Sequence, residues 1–102
     1  MTRDLIREYI SYVRVEKGLA KNSLEAYERD LRKLAAWADK NALEMLTLSR
    51  TDLREWLIDL SRAKVSENSK RRLISAIRGF YKFLMTDGHI SKSPAEDLDT
   101  PQ

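Results

Sequence analysis

The sequence predicts an all-α fold, a bundle of four to five helices, and three observations lead there. Glycine occurs only three times and proline twice in 102 residues, so little interrupts a helical backbone. No stretch sustains the period-two alternation of a half-buried strand. Apolar residues instead recur three and four apart along four separate segments.

The first segment, about residues 3 to 17, gathers Leu5, Ile6, Tyr9, Ile10 and Val13 on one side and stops at Gly18. The second, about 21 to 39, does the same with Leu24, Tyr27, Leu31, Leu34, Ala35 and Ala38. The third runs from about Arg50 to Arg62. Ser49 is placed to cap it with Asp52 three residues on, and Leu53, Trp56, Leu57 and Leu60 form its apolar face. The fourth starts between Glu67 and Lys70 and ends near Asp87-Gly88; "SKSP" then marks a turn, because the residue ahead of Pro94 is biased away from helix. Residues 91 to 102 are polar and poor in core residues, so the domain is expected to span 1 to 90 and the remainder to begin a linker.

"KNSLEAYERDLRKLAAWA" overlays "ENSKRRLISAIRGFYKFL", Asn22-Ser23 falling on Asn68-Ser69 and Leu31 on Ile77. Either the second and fourth helices are equivalent elements, or two amphipathic helices coincide by chance.

Composition narrows the function. Hydrophobic residues at 42% and charged residues at 34% suit a folded soluble domain. No apolar run approaches the roughly 18 to 20 residues of a membrane span, and "MTRDLIREYI" lacks the core of a signal peptide. A cytoplasmic protein with no membrane partner is the expectation. With no cysteine there are no disulfides, thiolate nucleophiles or cysteine-held metals. His89 is the single histidine, and no ligand spacing surrounds it. Asp52, Glu55 and Asp59 are the one acid cluster with helical spacing, and Arg54 and Arg62 are available to neutralise it. No Ser/His/Asp arrangement and no glycine-rich phosphate loop occurs. No catalytic residue, metal or cofactor is expected. The chain binds; it does not catalyse.

Charge says what it binds. Residues 1 to 61 carry eleven bases and eleven acids, whereas residues 62 to 82 carry seven bases against Glu67 alone. The net charge of +3 therefore concentrates in the fourth segment. At about 100° per residue, Arg71, Ser75, Arg78 and Lys82 share a stripe there, about a third of a turn from Leu73, Ile77, Phe80, Tyr81 and Leu84. Lys70 and Arg71 stand near the helix start, where the macrodipole disfavours bases. A phosphate there would satisfy both the helix N–H groups and the bases, and the small Ser75 allows close approach. The competing explanation is a solvated basic face. On the second helix Lys21, Arg29 and Arg32 share a broad side, but Glu25 and Glu28 are spaced to pair with Arg29 and Arg32. Ser23 either contacts a phosphate or helps cap. The aromatics read as core, with Trp37 and Trp56 at the flanks of their faces. Gly79, inside the fourth helix, either reflects close approach of another helix or a ligand or is simply tolerated there.

Two stretches carry a resemblance. In "GLAKNSLEAYERDLRKLAAW", Ser23, Tyr27, Asp30 and Leu31 form a hydroxyl–Tyr–Asp–Leu pattern. In "NSKRRLISAIRGFYKFLMTDGHISKSP", Arg72, Leu73, Ser75, Ala76, Ile77, Arg78, Phe80, Tyr81, Leu84 and Pro94 match. From Leu5 to Pro94 the chain resembles the N-terminal core-binding, or SAM-like, domain of tyrosine recombinases of the phage-integrase and Xer class. Ser93 departs from the asparagine this family often has before the proline.

The resemblance implies an orthogonally packed SAM-like bundle that closes over one side of duplex DNA as half of a clamp. A C-terminal domain outside this chain would carry the catalytic arginine, lysine and histidine residues and the tyrosine that forms a 3′-phosphotyrosine link. Tyr9, Tyr12, Tyr27 and Tyr81 correspond to no such nucleophile. Carried over by position, the DNA contacts are Lys21, Ser23, Arg29, Arg32, Arg71, Ser75, Arg78 and Lys82, with Lys70 and Arg72 beside them. Sister protomers in a tetrameric synaptic complex are the implied protein partners, and the isolated domain is expected to be monomeric. The alternative is a small helical module whose basic face meets an acidic protein.

Overall fold

A computed structural model gives the fold and describes residues 3–99. Three of its four helices begin where a side chain takes up N–H groups that have no partner in the first turn. For α1 (Leu5–Lys17) it is Asp4, accepting from the Arg7 N–H at 3.2 Å. For α3 (Arg50–Arg62) Ser49 and Asp52 form a reciprocal capping box, at 3.0 and 2.8 Å. For α4 (Glu67–Thr86) Ser66 accepts from the Ser69 N–H at 3.2 Å. α2 (Lys21–Lys40) starts after Ala20, which has no capping side chain. Ser23 is thus two residues inside the helix and is not its cap. A short 3-10 turn, Met45–Thr47, which the sequence reading did not include, connects α2 to α3.

The two 20-residue helices, α2 and α4, begin at positions related by the sequence overlay, with Ala20 and Ser66 as their cap residues. They pack against each other, and α1 packs across both. The core is built from the anticipated faces: Ile6, Tyr9 and Val13 of α1, Leu31 and Leu34 of α2, Leu53 and Leu57 of α3, and Ile77, Phe80 and Leu84 of α4. Trp56 is buried in this core, and Trp37 is half-buried and packed against it. Gly18 ends α1 in the left-handed conformation that glycine adopts without a Cβ penalty. The described residues contain no strand, and no helix among them is long and apolar enough to cross a membrane.

The tail corrects one expectation. Ala95 is fully buried and Leu98 nearly so, both within the main core, so 91–99 is not poor in core contacts. The segment turns at Pro94 and returns, with the Ser93 hydroxyl accepting from the Ala95 N–H at 3.1 Å. An asparagine before proline makes the same local bond two residues on, which accounts for serine standing there. The last part of the predicted linker, residues 100–102, lies outside the described residues.

Candidate nucleic-acid interface

α4 sorts its bases by their angle around the helix. Arg71, Ser75, Arg78 and Lys82 are exposed, and no ion pair among the described residues includes Arg71, Arg78 or Lys82. Ser75, Arg78 and Lys82 form one wall of a groove of about 580 Å³. Lys17 and Leu19, where α1 turns into α2, and Tyr27 also line it. Three bases thus meet in one concavity. Glu96, from the tail, is the single acid on its lining.

The neighbouring bases have partners inside the protein. Arg72 grips Asp30 with two nitrogens, Nε at 2.7 Å and Nη2 at 3.0 Å, and the Asp30 carboxylate is wholly buried. Lys70 is also buried, with Nζ 2.7 Å from Glu67 and 3.1 Å from the Ser61 hydroxyl of α3. These two side chains tie α4 to α2 and to α3, and they point away from the exposed stripe.

On α2 the picture is mixed. Arg32 reaches across to Asp4, which it meets at 3.0 and 2.8 Å, and to Glu28 at 3.3 Å. The hydrogen bond from Arg32 holds the Asp4 carboxyl below the usual carboxylate range, against partial desolvation. The anticipated Glu28–Arg32 pair forms, but Glu25 faces Lys21 at 3.9 Å rather than Arg29. Arg29 and Arg32 line a separate shallow depression with Glu25 and Glu28, not the groove beside α4. Lys21 is 89% exposed and Ser23 is half-buried. The structure therefore brings together Ser75, Arg78 and Lys82 and leaves the α2 bases apart from them.

Comparison with known proteins agrees with this architecture. A family model described as the phage integrase N-terminal SAM-like domain matches residues 6–88. The chain belongs to this family. Tyrosine recombinase XerC of Xylella fastidiosa strain M23 is 35% identical over 99 residues, an alignment covering 96% of this chain and 34% of that protein. Tyrosine recombinase XerD of Listeria monocytogenes strain F2365 is 35% identical over 101 residues, covering 97% and 34%. XerD of Pseudomonas aeruginosa is 34% identical over 98 residues, covering 96% and 33%. The chain spans about a third of the length of these relatives. No solved structure gives a significant match.

Within this SAM-like domain, the hydroxyl–Tyr–Asp–Leu pattern has a mostly architectural meaning. Leu31 is core and Asp30 is the buried partner of Arg72, while Tyr27 stands in the groove wall. Lys17 and Leu19, also in that wall, were missed from the sequence. Lys17 closes an amphipathic helix where a base is ordinary, and only the packing of α1 against α4 brings it into the same groove as Lys82. The acids Asp52, Glu55 and Asp59 make no metal-binding group among the described residues, and Asp52 serves the α3 cap.

Proposed function

We propose that this domain binds duplex DNA as the N-terminal clamp of a site-specific tyrosine recombinase, supporting DNA recombination and integration. One observation carries the reading: the exposed stripe Arg71, Ser75, Arg78 and Lys82, whose bases no acid neutralises, running beside a concave cationic groove. Phosphates are the natural counter-charge for such a surface, since each base that neutralises one releases a condensed counterion. The names of the similar proteins, tyrosine recombinases, support the enzymatic context.

In this reading Arg71, Arg78 and Lys82 hold the DNA backbone and Ser75 lets it approach. Lys21, Ser23 and Arg29 add contacts from α2. Lys70, Arg72 and Arg32 act by holding the helices in place. Strand cleavage belongs to a catalytic domain outside this chain, reached through the segment 91–102 after the Leu98 anchor. Sister protomers on the DNA complete the assembly, which works in the cytoplasm.

The test is a titration of labelled duplex at several salt concentrations. Log K should fall linearly with log[salt]. Combining Arg71→Gln, Arg78→Gln and Lys82→Gln should make the slope shallower by about 3 and weaken binding at low salt by at least ~10-fold. Absence of duplex binding by the unaltered domain at low salt would turn the assignment toward an acidic protein partner.

A further inference from the structure

Tyr9 lines the groove and also belongs to the core, as Val13 and Ala95 do, but it alone of the three carries a polar side-chain group. It is 3% exposed, and its ring packs on Phe80 and Phe83 at centroid distances of 5.7 and 5.6 Å. Its hydroxyl lies over Gly79 of α4. A Cβ added at position 79 would overlap the hydroxyl oxygen and sit 3.2 Å from the ring carbon that bears it. The only glycine inside a helix thus lies where a tyrosine hydroxyl crosses that helix.

The hydroxyl of Tyr81 shows the ordinary fate of such a group: it donates to the Met45 carbonyl at 2.7 Å. The Tyr9 hydroxyl has no such partner among the described residues. Every fully enclosed side-chain polar atom described does have one, so the Tyr9 oxygen is not enclosed. It opens on the groove that Ser75, Arg78 and Lys82 line. Burial, with Tyr27 and Tyr12 nearby, pushes its pKa up to about 12, so it remains a proton donor at neutral pH. An unpaired donor beside three bases matches an anionic oxygen.

We infer that the Tyr9 hydroxyl is a phosphate-binding donor at the floor of the α4 groove, held in place by the absence of a side chain at Gly79. The inference rests on the DNA reading and deepens it: the hydroxyl donates to a non-bridging oxygen of a backbone phosphodiester while Arg78 and Lys82 supply the charge. It adds a contact from α1, which carries none of the sequence-derived candidates.

Tyr9→Phe keeps the ring and removes only the donor. In this 102-residue chain its melting curve and circular dichroism should match the unaltered protein. Its affinity for a labelled duplex of mixed sequence should fall ~10-fold or more, as hydrogen bonds to charged groups do. The salt slope should stay unchanged, because no charge is lost. A merely structural role would move the melting curve and leave this pattern unmet. Gly79→Ala should reproduce the binding loss by displacing the hydroxyl, and should add little in a Tyr9→Phe background.

The arms separate the outcomes. If Tyr9→Phe binds duplex as well as the unaltered protein while Arg78→Gln and Lys82→Gln weaken it, the Tyr9 contact is refuted and the DNA reading stands. If the unaltered domain binds no duplex, the DNA reading itself falls. NMR titration with inorganic phosphate identifies the other source of the same chemistry. Saturable shifts around Tyr9 and Gly79, abolished by Tyr9→Phe while duplex binding is unaffected, would overturn the DNA contact in favour of a free-phosphate site.

Discussion

Arg71 and Arg72 are neighbours in sequence and serve different ends. Arg71 stands in solvent on the stripe; Arg72 turns inward and holds a carboxylate that is itself wholly buried. The chain path between them is one residue, about 100° around the helix. Residue type does not distinguish them. What does is that α2 presents Asp30 to one direction and nothing acidic to the other. Arginine suits the inward position because its planar fork meets both carboxylate oxygens at once, which lysine cannot do.

The largest effect should come from breaking the inward pair. Arg72→Met leaves the Asp30 carboxylate buried without its partner, and the urea midpoint should drop by the equivalent of about 3 kcal/mol or more. Arg72→Lys should recover only part of that, since it restores charge without the fork. A loss below about 1 kcal/mol would mean that Asp30 finds water and that the pair does not lock α2 to α4.

The outward bases should behave in the opposite way. Arg71→Gln, Arg78→Gln and Lys82→Gln should each change stability by no more than about 0.5 kcal/mol, as exposed substitutions do. The same variants should carry the loss of DNA binding expected of the stripe. A large destabilisation by any of them would dissolve the contrast, because that base would then be part of the fold.

The smallest effect sharpens the middle case, Arg32 at the surface. Its folded-state partner Asp4 is held below the ordinary carboxylate range by the hydrogen bond from Arg32. The pair therefore adds stability above the unfolded value, near 3.9, and that contribution disappears as pH falls through the lower folded value. Acid-unfolding profiles of the unaltered protein and Arg32→Ala should be separated by a few tenths of a kcal/mol at neutral pH and converge at strongly acid pH.

The helices were legible because each signal is local. Periodicity gave α1 to α4 to within a few residues, and the Ser49–Asp52 capping box was readable three residues apart. A close approach at Gly79 was also readable as one alternative, though not its partner, Tyr9, which comes from another helix. What stayed hidden depends on contacts distant in sequence. Arg72 and Asp30 are 42 residues apart, so no spacing rule separates Arg72 from the bases around it. Lys70 was hidden differently, since its partners Glu67 and Ser61 are near but its burial depends on α3. The tail misled because two apolar residues among polar ones look like noise until a turn at Pro94 delivers both to the core.

That turn has a mechanical consequence. Because Leu98 is seated in the core one residue before Asp99, tension on the chain at Asp99 would not first unravel a slack tether. It would act on the plug that Leu98 and Ala95 form, and through Ala95 on the groove that carries Arg78 and Lys82. The segment is less a cord leading away from the bundle than a handle fixed to it.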